Sequence, residues 1–104
     1  MGLISKPKTA EEYVKLVEQA VIEVSELRAS LEYDMEEEGQ RYAFLEPLEQ
    51  EVRRLRASMA DGSYQFENKD LPFMVIVNRF KSRIPFSDLL ATINRTHREG
   101  LDID

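Results

Sequence analysis

The sequence predicts an all-α domain: a long antiparallel helical hairpin with two shorter C-terminal helices packed on it. Three observations lead to this expectation. Two segments carry apolar residues in a heptad rhythm, a glycine stands between them, and 33% of the residues are charged, which suits helices with wide solvated faces. With 104 residues, the chain fits a single domain, 1–104, with a modest core.

The first helix is predicted from about residue 9 to residue 37. Its apolar residues alternate between spacings of four and three: Tyr13, Val17, Ala20, Val24, Leu27 and Leu31. This rhythm keeps one stripe facing a partner helix. Thr9 and Glu12 are spaced as a capping box at the helix start, and we expect residues 1–8 to form a flexible N-terminus. Gly39 predicts a chain reversal, because glycine accepts the left-handed conformation found after helix ends.

The second helix is predicted over 45–61 and completes an acidic hairpin over 9–61. Its apolar residues continue the heptad pattern: Leu45, Leu48, Val52, Leu55 and Met59. Pro47 is compatible with this helix only in the first turn or at a kink, since proline removes a backbone donor. The Asp61-Gly62 pair is a turn signal that ends the helix.

Two structures remain open for the residues that follow Gly62. Polar and aromatic residues alternate over 63–67, as in a short strand, and 73–78 contain an apolar run. An α+β alternative would pair these two segments as a β-hairpin. The spacing of four, three and four along one face favours a third helix over 71–83 instead. This face consists of Phe73, Val77, Phe80 and Ile84.

The last helix is predicted over 87–99, after the helix-breaking Pro85. Ser87 is a candidate N-cap for it, and Gly100 is expected to end it. Its apolar stripe consists of Leu89, Leu90, Ile93 and His97.

Charge is distributed unevenly along the chain. The formal net charge is −6. Residues 9–61 contain fourteen acidic and six basic residues, a net of −8, whereas residues 71–100 contain five basic and two acidic residues, a net of +3. The sequence therefore joins an acidic hairpin to a basic, aromatic-rich part over 63–100.

The composition removes most catalytic templates. The absence of cysteine excludes a disulfide scaffold, a thiolate zinc site, an iron–sulfur cluster and a cysteine nucleophile. The single histidine, His97, serves no recognisable nucleophile motif, and we expect a partly exposed packing or capping residue near a helix C-terminus, where a protonated imidazole is favoured. We therefore expect no enzyme activity, no catalytic residue, no metal and no cofactor.

Carboxylate pairs provide one alternative, a metal-dependent hydrolase that uses Glu23 and Glu26. Their spacing is similar to the metal-binding pairs of all-α nucleotide pyrophosphohydrolases of the MazG type, but the Glu-x-x-Asp pair that this family carries on the next helix is missing. Glu46 and Glu49 form another pair without a family signature. The acidic run 34–38 is expected to be a solvated helix end, and whether it binds a cation stays open.

Basic and aromatic residues indicate the leading function. Phe80 is interleaved with three basic residues: Arg79, Lys81 and Arg83. These three, together with Tyr42 and Phe44, are the predicted partner contacts, because aromatic residues and arginine dominate interface energetics. We therefore expect a non-catalytic interaction, adaptor or regulatory protein that binds another protein or itself, as a homodimer. A nucleic-acid-binding regulator that uses the basic C-terminal helices is the less favoured alternative.

Targeting signals are absent from the sequence. The N-terminal residues contain no apolar stretch of a signal peptide, and no apolar run approaches the ~18–20 residues that a membrane span needs. We therefore expect a cytoplasmic protein without a membrane partner.

Overall fold

The computed structural model describes residues 5–34 and 42–102, and it confirms the all-α class. Its elements in chain order are α1 (Ala10–Asp34), α2 (Leu45–Asp61), α3 (Met74–Phe80), a 3-10 turn (Lys81–Arg83) and α4 (Ser87–Glu99). No strand occurs within the described ranges, so the alternative β-hairpin of 63–67 with 73–78 is wrong. The predicted reversal at Gly39 and the side chains of the acidic run 34–38 lie outside the described residues.

The heptad residues of α1 and α2 form the centre of the core. Those that are buried are Tyr13, Val17, Ala20 and Val24 of α1 and Leu45, Leu48, Val52 and Leu55 of α2. The polar contacts between the helices pair later residues of α2 with earlier residues of α1: Glu49 with Arg28, Arg53 with Ser25, and Arg56 with Glu18. The two helices therefore run antiparallel where they touch.

Local signals set the helix ends. The Thr9 hydroxyl accepts a hydrogen bond from the Glu12 backbone N–H at 3.1 Å, as a capping residue does. The Glu12 carboxylate reaches back to the N–H of Lys8 at 2.8 Å instead of that of Thr9, so the predicted box closes one residue earlier. At the end of α2, Gly62 has a φ of 83°, the left-handed conformation expected there.

The third helix begins three residues later than predicted. Leu71, Pro72 and Phe73 form a turn instead, in which Met74 N–H donates to the Leu71 carbonyl. The Leu71 N–H donates to the Asn94 side chain at 2.7 Å, and this contact anchors the turn to α4. Residues 81–83, predicted as the end of the same helix, form the 3-10 turn.

The fourth helix has its predicted bounds, but Ser87 is its first residue and not its N-cap. Phe86 occupies the N-cap position, and its side chain has no acceptor for a capping bond. The chain enters the helix through a turn in which Ser87 N–H donates to the Ile84 carbonyl. Beyond α4, the Asp102 N–H donates to the carbonyl of the buried Pro7 at 2.8 Å. This bond joins the N-terminal residues to the C-terminal end.

A buried carboxylate lies between α1 and α2. Glu49 accepts hydrogen bonds from the Ser25 hydroxyl at 2.8 Å, from Arg28, and from Arg53 Nη2 at 2.9 Å. Burial alone would raise the pKa of the Glu49 carboxyl, but these three donors outweigh it and lower the pKa from 4.5 to about 2. The carboxylate thus stays charged and links the two helices.

Glu49→Gln should destabilise the protein at neutral pH by about 2–3 kcal/mol, because it removes the carboxylate charge to which Arg28 and Arg53 donate hydrogen bonds. The folded pKa lies below the unfolded one, so the contribution of the carboxylate is complete above pH 4.5 and is lost as the pH falls toward 2. Urea unfolding at a series of pH values should show the gap between wild type and variant closing across this window.

Glu46→Gln is the matched control, since Glu46 lies exposed in the first turn of the same helix. It should change the free energy of unfolding by less than about 0.5 kcal/mol. A Glu49→Gln deficit that stays constant as the pH falls would contradict the proposed role of the ionised carboxylate.

Candidate functional site

Two phenylalanine rings stack at the start of α2 and the end of α3. The rings of Phe44 and Phe80 are nearly parallel, with centroids 4.4 Å apart and an interplanar angle of 8°. Tyr42 extends the group, with its ring 5.8 Å from that of Phe44. Residues that are distant in sequence thereby form one continuous aromatic cluster.

Two arginine side chains contact the Phe80 ring of this cluster. The guanidinium carbon of Arg79 lies 5.5 Å from the centre of the Phe80 ring, and that of Arg83 lies 5.9 Å from it. Both distances fall within the range of a cation–π contact. Lys81 follows Phe80 directly and is exposed. We call this surface the basic–aromatic patch, which consists of Tyr42, Phe44, Arg79, Phe80, Lys81 and Arg83.

The patch contains all five predicted partner residues, although their exposures differ. Phe44 is only 7% exposed, so it supports the Phe80 ring from beneath and offers a partner little surface of its own. The central residue, Phe80, is not among the predicted contacts, although the sequence places it between the basic residues and on an apolar helix face. Val75, one turn before Arg79 on α3, is 75% exposed and adds an apolar neighbour that heptad spacing did not single out.

An acidic counterpart lies on the outer face of α1. Ile22 is 49% exposed, although it lies in the middle of a long helix. Glu18 and Glu26 stand one turn before and one turn after it, so they share its face. Glu18 receives two hydrogen bonds from Arg56, the shorter at 2.7 Å, and Glu26 is exposed. This acidic–apolar face, Glu18, Ile22 and Glu26, has the opposite charge to the patch.

Two of the carboxylates proposed as metal ligands are hydrogen-bonded to other side chains. Glu23 accepts a hydrogen bond from Gln19 at 2.8 Å, and Glu49 is occupied by arginine and serine donors. Over residues 5–34 and 42–102, the structure brings together no group of three or more histidine, cysteine, aspartate or glutamate side chains that could hold a metal ion. The metal-dependent alternative therefore gains no support from the geometry.

A hydrogen-bonded relay connects α1 to α4 through the segment after α2. The Tyr13 hydroxyl donates to the Ile93 carbonyl oxygen at 3.1 Å. It lies 2.9 Å from the Tyr64 hydroxyl, which in turn lies 2.7 Å from Nδ1 of His97. His97 is only 4% exposed, so the expectation of a partly exposed histidine is wrong: α4 turns the imidazole toward the core.

Counting hydrogens fixes the direction of this relay. The single hydroxyl hydrogen of Tyr13 goes to a carbonyl, which can only accept. The hydrogen between the two phenols therefore belongs to Tyr64, and none remains on Tyr64 for the contact with His97. Nδ1 of His97 must carry a hydrogen and donate it, which leaves Nε2 of a neutral imidazole as an acceptor.

Burial shifts the pKa values along the relay. It raises the pKa of the Tyr13 and Tyr64 hydroxyls. It also lowers the pKa of His97 below 6.5. The charge of Glu67 raises this pKa by a smaller amount, and the charge of Lys69 adds to the lowering. The neutral histidine contributes stability above pH 6.5, and this contribution is lost as the pH falls through the lowered folded pKa.

Comparison with known proteins gives no match to a family model, to a curated protein or to a solved structure. None of the described helices combines the length and the apolar character that a bilayer crossing requires. The patch combines a half-buried phenylalanine ring, Phe80, with the exposed side chains of Arg79 and Arg83. Guanidinium groups bind carboxylates and stack on flat groups.

Nitrogen-15 NMR of the imidazole at neutral pH should show a hydrogen on Nδ1 and none on Nε2. Tyr64→Phe should remove about 1–3 kcal/mol from the free energy of unfolding, because the buried Nδ1–H loses its acceptor. Tyr42→Phe is the control, since the Tyr42 hydroxyl makes no hydrogen bond among the described residues. An Nε2–H tautomer, or an equal loss in the two variants, would show that the relay does not run as derived.

Proposed function

We propose that this protein is a non-catalytic interaction protein whose basic–aromatic patch binds an acidic protein surface, in the first instance that of a second copy. The observation that carries the proposal is the convergence of Arg79 and Arg83 on the Phe80 ring. Guanidinium groups on an aromatic platform present several donors in a fixed plane, which suits carboxylate recognition.

Charge complementarity supports a second copy as the partner. Residues 71–100 have a net charge of +3, and residues 9–61 have a net charge of −8. Each side also carries one exposed aliphatic residue between its charges, Val75 beside Arg79 and Ile22 beside Glu26. An interface with an apolar centre and opposite charges around it can form twice about a two-fold axis, because each copy holds both halves.

Opposite charge reversals at the two faces test this pairing. Arg79→Glu and Glu26→Lys should each weaken self-association by about tenfold at low ionic strength, because each places like charges opposite one another. An equimolar mixture of the two variants should associate again, since the two reversals complement each other. Sedimentation equilibrium measures all three samples, and high ionic strength should weaken the wild-type association.

Lys69→Glu is the control, because it makes a similar charge change at an exposed position outside the patch. It should leave the association unchanged. A wild-type protein that is monomeric at every concentration, or a mixture no more associated than its components, contradicts the proposal. Low-salt retention of a single-stranded oligonucleotide that Arg79→Glu abolishes would replace it by the nucleic-acid alternative.

A further inference from the structure

A groove separate from the patch lies beside the hydrogen-bonded relay. It is formed by the second half of α2, the segment 63–73 and His97 of α4, and its volume is about 510 Å³. Small-molecule sites in proteins commonly have volumes of roughly 300–1,000 Å³. We call this cleft the His97 groove.

One polar atom of the groove has no partner within the protein. Nδ1 of His97 donates to Tyr64, and no described residue hydrogen-bonds to Nε2. Within the described part of the chain, every fully buried side-chain nitrogen or oxygen has a hydrogen-bond partner. Nε2 is therefore not fully buried, and His97 is one of the residues that line the groove.

The relay also determines what Nε2 can do. Because Nδ1 carries the hydrogen of the neutral ring, Nε2 presents a lone pair and accepts a hydrogen bond. The low pKa of His97 keeps this form present at neutral pH. A ligand in the groove must therefore bring a donor to satisfy this atom.

The remaining lining separates an apolar floor from a charged rim. Leu55, Leu71 and Phe73, all buried, lie along the floor. On the rim, Arg54 pairs with Glu51 at 3.3 Å, and Lys69 lies 3.9 Å from Glu67. Asp70, which also lines the groove, lies 3.3 Å from Arg98. Because these opposite charges lie together in pairs, the rim does not favour a ligand of either net charge.

We propose that the His97 groove binds a small uncharged molecule that has an apolar body and a hydroxyl or N–H group. The body lies over the Leu71 and Phe73 side of the groove, and the donor hydrogen-bonds to Nε2 of His97. The site is independent of the basic–aromatic patch, so a ligand here would give the protein a second binding function.

Phenol and anisole are matched probes for this site, because both contain the same ring and only phenol has a donor. In an NMR titration of the full chain at neutral pH, phenol should shift the His97 side-chain nitrogens and the amides of 63–73 saturably. Anisole should bind about fivefold more weakly, the effect of one hydrogen bond.

A pH series tests the same contact without a variant. Once Nε2 is protonated it can no longer accept, so the preference for phenol over anisole should disappear below the pKa of His97. The charged groups that line the groove together with His97 are Glu51 and Arg54 of α2 and Glu67, Lys69 and Asp70 of the segment. Titration of these carboxylates alone would affect the two uncharged probes equally.

Three results would overturn the proposal: equal affinity for phenol and anisole, shifts confined to residues outside the groove, or no saturable shift with phenol. His97→Phe should remove the preference for phenol, because its side chain has no acceptor, and its amide spectrum shows whether the fold is retained. If that variant does not fold, the pH series on the native chain still decides the outcome.

Discussion

A carboxylate buried between two helices must be met by donors, and the contact between α1 and α2 is built around this requirement. Glu49 of α2 is met from α1 by Ser25 and Arg28 and from its own helix by Arg53. A shift of one helical turn between α1 and α2 would leave this charge buried without the α1 donors, which is costly. The apolar heptad residues of α1 and α2 supply most of the burial. The charge of Glu49 selects one register among those that these residues allow.

Both candidate sites depend on that register. It sets Tyr13 where its hydroxyl meets Tyr64 and the carbonyl of Ile93, so it also determines the hydrogen on His97. At the other end of the hairpin, Phe44 lies at the start of α2 and packs beneath Phe80. The basic–aromatic patch therefore lies beside the start of α2, and the His97 groove lies beside its second half.

The heptad spacing predicted the two longest helices and the last helix well, because apolar residues that recur every three or four positions are a local signal of a helix. The bounds 45–61 and 87–99 match the structure. Tyr42, Phe44, Arg79 and Arg83 lie in one cluster with Phe80, and their role as partner contacts stays a prediction. Tertiary contacts account for what the sequence did not predict. The third helix starts late because Leu71 and its turn are held by Asn94 of α4, and the burial of His97 depends on phenols that lie 84 and 33 residues away in sequence. Local spacing placed His97 on the apolar stripe of the last helix, but it contains no signal for the phenols that the imidazole contacts.

Distances between spin labels test the α1–α2 register most directly, and the lack of native cysteine makes introduced cysteines unique labelling sites. Glu11, Ala60 and Glu46 are exposed and suit labelling. The antiparallel register predicts a short, narrow distance distribution between labels at Glu11 and Ala60. The distance from Glu11 to Glu46 should be longer by about 20 Å, from the rise of 1.5 Å per residue along α2. A reversed order of the two distances, or one broad distribution for both, would contradict the account.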